Sequence, residues 1–313
     1  MKIVFMGTPD FAVPVLKVLV ENHDVTAVIT QPDRPKGRGN KMSASPVKEL
    51  AVSLGIDVFQ PQKIKNKESV EALKGYEADV FVVVAYGQIL SEEILNMPKF
   101  GCINVHASLL PKYRGAAPME WALINGETTI GLTIMQMDKG LDTGAMLLKK
   151  QFDVTDEDDI NLVYEKMMEL SPGAIIEALD GIKNGSIVPE HQDNNLSTYA
   201  PMLNTETGVI NWRDSSKNIV NLVRGLCRLK LAHTKLDGAI FKILKAEKIP
   251  DYEGINAKCG VVIDIIGKKG IVVKSGDGGV LITKVQAQGK GAMAVPDYLR
   301  GNKLCLGDMF AEN

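Results

Sequence analysis

A doubly wound α/β domain with a mostly parallel sheet, followed by a smaller β-barrel of the OB-like kind, is the fold this sequence predicts. In the first half, apolar runs of strand length alternate with segments of helical periodicity. One of those runs, Asp79-Val-Phe-Val-Val-Val-Ala-Tyr86, is apolar on both faces, as a central parallel strand requires. Past residue 210 the pattern changes to short strand-like runs separated by Gly and Lys turns, which suits a small barrel.

Taken in order, Lys2-Ile-Val-Phe-Met6 reads as a buried strand. Asp10 to Glu21 carries helical periodicity through Phe11, Val15, Val18 and Leu19. Val25 to Thr30 is a second strand, leading into the polar loop Gln31-Pro-Asp-Arg-Pro-Lys-Gly-Arg-Gly-Asn40. Ser45-Pro46 opens a helix to Leu54, with Pro in the first turn, where its missing N–H costs nothing. Val58-Phe59 is a short strand, and Ile103 to His106 another. A helix is expected over Ala117 to Asn125, strands over Ile130 to Met137 and Met146 to Phe152, and a long helix over Asn161 to Lys183. The polar stretch His191-Gln-Asp-Asn-Asn-Leu-Ser-Thr198 reads as a linker. A helix over Ser215 to Leu226 then precedes strands at Ile240 to Leu244, Gly260 to Ile266, Gly270 to Lys274 and Val280 to Val285. The expected domains are 1–189 (catalytic), 190–205 (linker) and 206–313 (barrel).

Composition narrows the class. The chain has 313 residues, 45% hydrophobic and 24% charged, which is ordinary for a globular enzyme. The apolar opening, Met1 to Met6, is too short for a secretory signal and no run approaches a membrane span, so a cytoplasmic location and no membrane partner are expected. Four cysteines without a Cys-x-x-Cys pair argue against a disulfide framework, and with four scattered histidines they give no metal-ligand spacing, so no metal is expected. Gly7-Thr-Pro-Asp10 is a tight strand-to-helix turn and lacks the Gly-rich dinucleotide fingerprint. The net charge of −2 conceals an asymmetry: 17 Lys and Arg against 11 Asp and Glu from residue 201 onward, and 19 against 27 before it. A basic second domain on an acidic first one suits a polyanionic partner, nucleic acid above all.

The chemistry concentrates in Gly101-Cys-Ile-Asn-Val-His-Ala-Ser-Leu-Leu-Pro111 and Asp138-Lys-Gly-Leu-Asp-Thr-Gly144. Residues two apart on a strand share a face, so Asn104 and His106 address one reacting atom together. Asp142, in a Gly-flanked loop, adds a carboxylate. A donor amide, a titratable ring and a base are the groups that acyl transfer to an amine needs. Cys102, beside them, has apolar neighbours and reads as a core thiol.

These same residues carry a resemblance. Asn-x-His-x-Ser-Leu-Leu-Pro from Asn104, Tyr-Arg-Gly-x-x-Pro from Tyr113 and Asp-x-Gly-x-Asp-Thr-Gly from Asp138 resemble the folate-dependent formyltransferases. Val4-Phe-Met-Gly-Thr-Pro-Asp-Phe-Ala12, the 31–48 segment, Gln288-Gly-Lys-Gly-Ala-Met293 and Asp297-Tyr-Leu-Arg-Gly301 are similar to the members that act on methionyl-tRNA. The resemblance implies formyl transfer from 10-formyltetrahydrofolate, a co-substrate and not a tightly bound cofactor, to the α-amine of initiator Met-tRNA. A small amine, such as a sugar nucleotide or glycinamide ribonucleotide, is the alternative acceptor. It implies Asn104, His106 and Asp142 as catalytic residues. It places Ser108, Leu109, Leu110 and Pro111 along the folate, and Tyr86, Gly87, Gln88, Ile89, Leu90 and Asp138 around the pterin ring. Three Pro and two Gly make the 31–46 loop irregular, and Arg34, Lys36, Arg38 and Lys41 make it basic, an arm expected to meet tRNA, with Arg38 the leading contact. No sequence signal demands more than a monomer.

The chain departs from the family pattern after the helix ending near Leu226. Where the family carries Asn-Pro-Trp-Pro-Gly-Ala, this chain has Cys227-Arg-Leu-Lys-Leu-Ala232. Losing two prolines and a glycine predicts a different backbone path there, and Arg228 and Lys230 add charge.

Overall fold

The computed structural model describes residues 1–36, 41–252 and 254–311. The strands are β1 (Lys2–Gly7), β2 (Asp24–Ile29), β3 (Arg34–Lys36), β4 (Lys41–Ser43), β5 (Asp57–Phe59), β6 (Val80–Val84), β7 (Cys102–His106), β8 (Arg114–Gly115), β9 (Thr129–Gln136), β10 (Met146–Asp153), β11 (Tyr199–Ala200), β12 (His233–Leu236), β13 (Ala239–Ile249), β14 (Val262–Ile266), β15 (Gly270–Lys274), β16 (Gly279–Ala287) and β17 (Met293–Ala294). The helices are α1 (Val13–Asn22), α2 (Pro46–Ser53), α3 (Lys67–Lys74), α4 (Glu92–Leu95), α5 (Pro118–Ile124), α6 (Ile160–Asn184), α7 (Ser216–Leu226) and α8 (Val295–Gly301).

The chain forms two compact units. The first holds residues 1–115, 130–152 and 164–200. Its sheet runs β10-β9-β7-β6-β1-β2-β5. The pairs β1·β2, β1·β6, β2·β5 and β6·β7 are parallel, and β7·β9 is antiparallel. Ile3, Val4, Phe5 and Met6 have no exposed surface, so β1 is covered on both faces, which explains its unbroken apolar run. From β1 the chain builds one way through β2 and β5, then returns to build the other way through β6 and β7. The crevice outside the carboxyl ends of β1 and β6 is the switch point where such sheets bind ligands.

The second unit holds residues 116–129, 153–163 and 201–313. Its boundaries differ from a simple division into 1–189 and 206–313, because two earlier segments cluster with the C-terminal residues. Arg224 of α7 supplies one reason. It is buried, and its Nη1 donates to Thr155 O at 2.6 Å and Asp158 O at 3.1 Å. The sheet order is β12-β13-β16-β15-β14, with β17 on β16, all antiparallel. Residues 308–311 close the gap between its edges: Ala311 N–H donates to Lys235 O of β12 at 2.9 Å, and Val262 N–H of β14 donates to Asp308 O at 2.8 Å. Inside lie Trp212 and Phe310, stacked at 5.7 Å, with Phe241 edge-on to Tyr298 at 5.2 Å. The expected barrel is therefore a half-barrel sheet finished by the chain's tail.

Two local differences from the sequence reading have clear causes. The 31–46 segment is not wholly irregular, because β3 and β4 pair antiparallel, Arg34 with Ser43, Pro35 with Met42 and Lys36 with Lys41. Past Leu226 the chain turns at once: Lys230 takes φ 54 and its N–H donates to Cys227 O at 3.1 Å. A lysine in the left-handed region thus makes the bend without proline or glycine.

Candidate active site

Strand β7 ends beside the switch point and delivers Asn104 and His106 to the carboxyl edge of the sheet. His106 is buried, and its Nε2 lies 2.9 Å from Tyr113 O. A carbonyl only accepts, so Nε2 carries the proton and donates. That leaves Nδ1 facing Asp142 Oδ2 at 3.7 Å, an ion pair when the ring is charged. Asp142 Oδ2 also accepts from Gly115 N–H at 2.8 Å, and no described residue donates to its Oδ1. The half-buried Asn104 carboxamide makes no hydrogen bond with any described residue, so its donors are available to a ligand. Strand period puts Asn104 and His106 on one face of β7, opposite Met135 and Thr133 of β9, and Asp142 meets His106 from its own loop.

The loops around the trio are tightly bonded. Thr133, fully buried on β9, donates through Oγ1 to Ser108 O at 2.7 Å and accepts from Leu110 N–H at 3.1 Å. Ser108 Oγ donates to Lys112 O at 2.7 Å, and the Leu110–Pro111 peptide is cis. Asp142 sits at φ 53, a region that a non-glycine residue holds only when its surroundings fix it. Asp138 organises the same loop, accepting at Oδ1 from Gly140 N–H at 2.9 Å and from Thr143 Oγ1 at 2.6 Å. Gly144 allows the loop to close, since a Cβ there would stand 1.8 Å from Gln136 O.

The other predicted residues fall into distinct roles. Tyr86 and Leu90 are buried in the apolar core on one face of the sheet, and burial pushes the Tyr86 phenol above its usual range. The Tyr86 carbonyl accepts from Thr8 Oγ1 at 3.0 Å and Gln31 Nε2 at 3.2 Å. Gln88 is spent on structure, accepting from Ile64 N–H at 2.8 Å and donating to Pro61 O at 3.1 Å. Ile89 and Leu141 stand out instead, 76% and 54% exposed, a large apolar side chain on each flanking loop. Leu110 packs with Met135 and Met146, and Leu109 and Pro111 are half-buried. Cys102 donates to Ile94 O, and burial pushes its thiol up to about 12, so it is a core residue and no nucleophile. Phe11 is likewise core, its ring 5.5 Å from that of Tyr164.

A cavity of about 410 Å³ opens at the switch point, between Thr8-Pro9, Ala85-Tyr86-Gly87 and the arm residues Arg34, Pro35 and Ser43 to Pro46. Arg34 reaches Gln31 Oε1 at 3.4 Å, at the rim. Arg38 lies outside the described residues, as do the side chains of Lys36 and Lys41. Among the described residues no group of His, Cys, Asp and Glu could hold a metal ion, and no helix is long and apolar enough to cross a membrane. Sequence reasoning missed Tyr113, whose carbonyl fixes the His106 tautomer, and Thr133, whose hydroxyl pins the strand-end loop. Neither carries a signal beyond its place in the Tyr-Arg-Gly run or on a neighbouring strand.

Comparison with known proteins agrees with this geometry. Residues 1–179 match the formyl transferase family, and residues 202–303 match the formyl transferase C-terminal domain. A methionyl-tRNA formyltransferase of Clostridium tetani is 50% identical over 305 residues, covering 97% of each chain. Another, from Clostridium acetobutylicum, is 48% identical with the same coverage. Among solved structures, WlaRD, a sugar 3N-formyl transferase, has a TM-score of 0.68 at 20% identity, over 93% of this chain and 99% of its own. HypX from Aquifex aeolicus, in complex with tetrahydrofolic acid, has a TM-score of 0.63 at 16% identity, over 100% of this chain and 51% of its own. At those identities the two structures bear on fold alone. The two domain matches and the near-full-length relatives place this chain in the formyl transferase family, among the methionyl-tRNA formyltransferases.

Proposed function

We propose that this protein transfers the formyl group of 10-formyltetrahydrofolate to the α-amine of initiator Met-tRNA, giving N-formylmethionyl-tRNA for translation initiation. The observation that carries the reaction type is the pairing of a buried His106 and Asp142 beside an unengaged Asn104 carboxamide. The neutral amine attacks the formyl carbon, and the carbonyl electrons move onto oxygen. Asn104 Nδ2–H donates to that oxyanion, and charged His106, with Nε2–H on Tyr113 O and Nδ1 facing Asp142, stabilises it by its charge. Losing one such donor typically costs roughly 100–1,000-fold in rate. Asp142 Oδ1 takes the amine proton, directly or through a water, and the proton passes to N10 as the formyl C–N10 bond breaks. The products are the formamide and tetrahydrofolate; neither a metal nor a covalent enzyme intermediate enters the balance.

Folate acts as a co-substrate that enters and leaves in each turnover. The Tyr86 to Leu90 turn and the Asp138–Gly144 loop hold its pterin largely through backbone groups, with Ile89 and Leu141 as apolar flanks, and Ser108 to Pro111 line its tail. The switch-point cavity takes the 3′ end of the acceptor, and Arg34, Lys36, Arg38 and Lys41 on the arm meet its phosphates or base edges. Residues 206–313 supply the basic second surface, and the protein works as a cytoplasmic monomer. A formylation assay with charged initiator tRNA, set against an amino-sugar nucleotide and glycinamide ribonucleotide, tests the acceptor. Product on tRNA is expected, and product on a small amine alone would overturn the assignment.

A further inference from the structure

The segment 190–200, a polar linker by sequence, bonds to two loops beside the reacting groups, the one around Tyr113 and Arg114 and the one that carries Asp142. It holds the first loop by backbone: Tyr113 N–H donates to Thr198 Oγ1 at 2.8 Å, Arg114 N–H donates to Thr198 O at 2.9 Å, and β8 pairs with β11. It holds the second through one side chain. Gln192 Nε2 donates to Asp142 O and to Gly144 O, both at 2.8 Å, while its Oε1 accepts from Arg114 Nε at 3.0 Å. Arg114 Nη2 in turn donates to Asn194 Oδ1 at 2.8 Å. These partners fix which way the amide points, since two carbonyls need donors and a guanidinium needs an acceptor. A glutamate would keep the Arg114 bond and lose both donors; a leucine would lose all three bonds at similar size.

The two carbonyls that Gln192 captures flank the strained stretch of the loop. Asp142 is the residue at φ 53, and Gly144 is the one that admits no side chain. Gln192 therefore bridges the backbone that aims the carboxylate to Arg114, whose next residue, Gly115, donates its N–H to that same carboxylate at 2.8 Å. We propose that Gln192 is a positioning residue for the formyl transfer, holding Asp142 against His106 before either substrate arrives. The proposal rests on Asn104, His106 and Asp142 being the reacting groups. Gln192 touches neither substrate in this account, so its loss changes the chemical step and leaves tRNA binding alone.

Steady-state kinetics of formyl transfer to charged initiator tRNA test it, with Gln192→Leu and Gln192→Glu beside Asp142→Asn. Both Gln192 variants should lose roughly 10–100-fold in kcat, the scale of a small misplacement of a reacting group. Their KM for initiator tRNA should stay within about twofold, which separates misaligned chemistry from lost tRNA binding. Thermal melts of the same samples establish that the variants are folded. A slow Asp142→Asn beside unimpaired Gln192 variants, or variants that raise the KM for tRNA at unchanged kcat, would overturn the role given to Gln192. Wild-type rates in Asp142→Asn would instead refute the trio itself.

Discussion

The loop carrying Asp142 and the arm at 31–46 are both Gly- and Pro-marked loops in the sequence, yet the fold holds them in opposite ways. The first is bonded at nearly every turn: Asp138 caps it, Gln192 clamps two of its carbonyls and Gly115 N–H fixes the carboxylate. The second is a hairpin with three residue pairs in its ladder, braced at its base by Lys48 Nζ to Asp33 Oδ2 at 2.7 Å and by Gln60. Its Met42 is 64% exposed. The contrast suits the two proposed tasks. A transition state rewards groups already aimed, so its cost is met in folding. A nucleic-acid backbone rewards cations on an open surface.

Four changes would break or sharpen that contrast. The largest effect belongs to Asp142→Asn, which removes the base but not the shape. It should lower kcat by roughly 100–10,000-fold with KM for tRNA nearly unchanged, as measured by steady-state formylation. Gly144→Ala comes next. The added methyl meets Gln136 O, so the variant should lose roughly 3 kcal/mol or more in urea denaturation and most of its activity with it.

The arm should respond differently. Arg34→Ala with Arg38→Ala should raise KM for tRNA several-fold at nearly constant kcat. It should also lower the slope of log affinity against log salt by about one for each phosphate that is no longer neutralised. An unchanged slope would remove phosphate binding by the arm from the account. The smallest effect concerns the brace beneath the arm. The hydrogen bond from Gln60, then that from Lys48, holds the Asp33 carboxyl below its usual range. A carboxyl whose folded value lies below its unfolded one contributes stability at neutral pH and loses it as acid protonates the group, below about pH 4. Lys48→Met should therefore lower the neutral-pH melt slightly and leave the melt in acid unchanged, flattening the acid side of the stability profile.

Much of the fold is legible in the sequence because its signals are local. The unbroken apolar runs at 2–6 and 79–86 and the long periodic stretch from 161 to 183 lie within a few residues of β1, β6 and α6. Helices α3, α4 and α8 are not legible in the same way: eight residues or fewer give barely two turns of periodicity, and they lack the Ser-Pro opening that marks the similarly short α2. The arm's ladder depends on pairing between β3 and β4, which composition does not register. The same division holds in the site. Asn104 and His106 announce themselves by a spacing of two on one strand, and Asp142 by its Gly-flanked setting. Gln192 lies 50 residues beyond Asp142 in a run of polar residues. Nothing local distinguishes it from a solvated linker residue; only the path of the returning chain puts it on the catalytic loop.

The central claim is that the bonded loop sets the reaction and the arm sets the acceptor. Measuring kcat and KM for initiator Met-tRNA in Asp142→Asn and in Arg34→Ala/Arg38→Ala, side by side at one salt concentration, tests it most directly. The account predicts a loss in kcat alone for the first and a rise in KM alone for the second. A rise in KM at full kcat for Asp142→Asn, or a fall in kcat at unchanged KM for the arm variant, would contradict it.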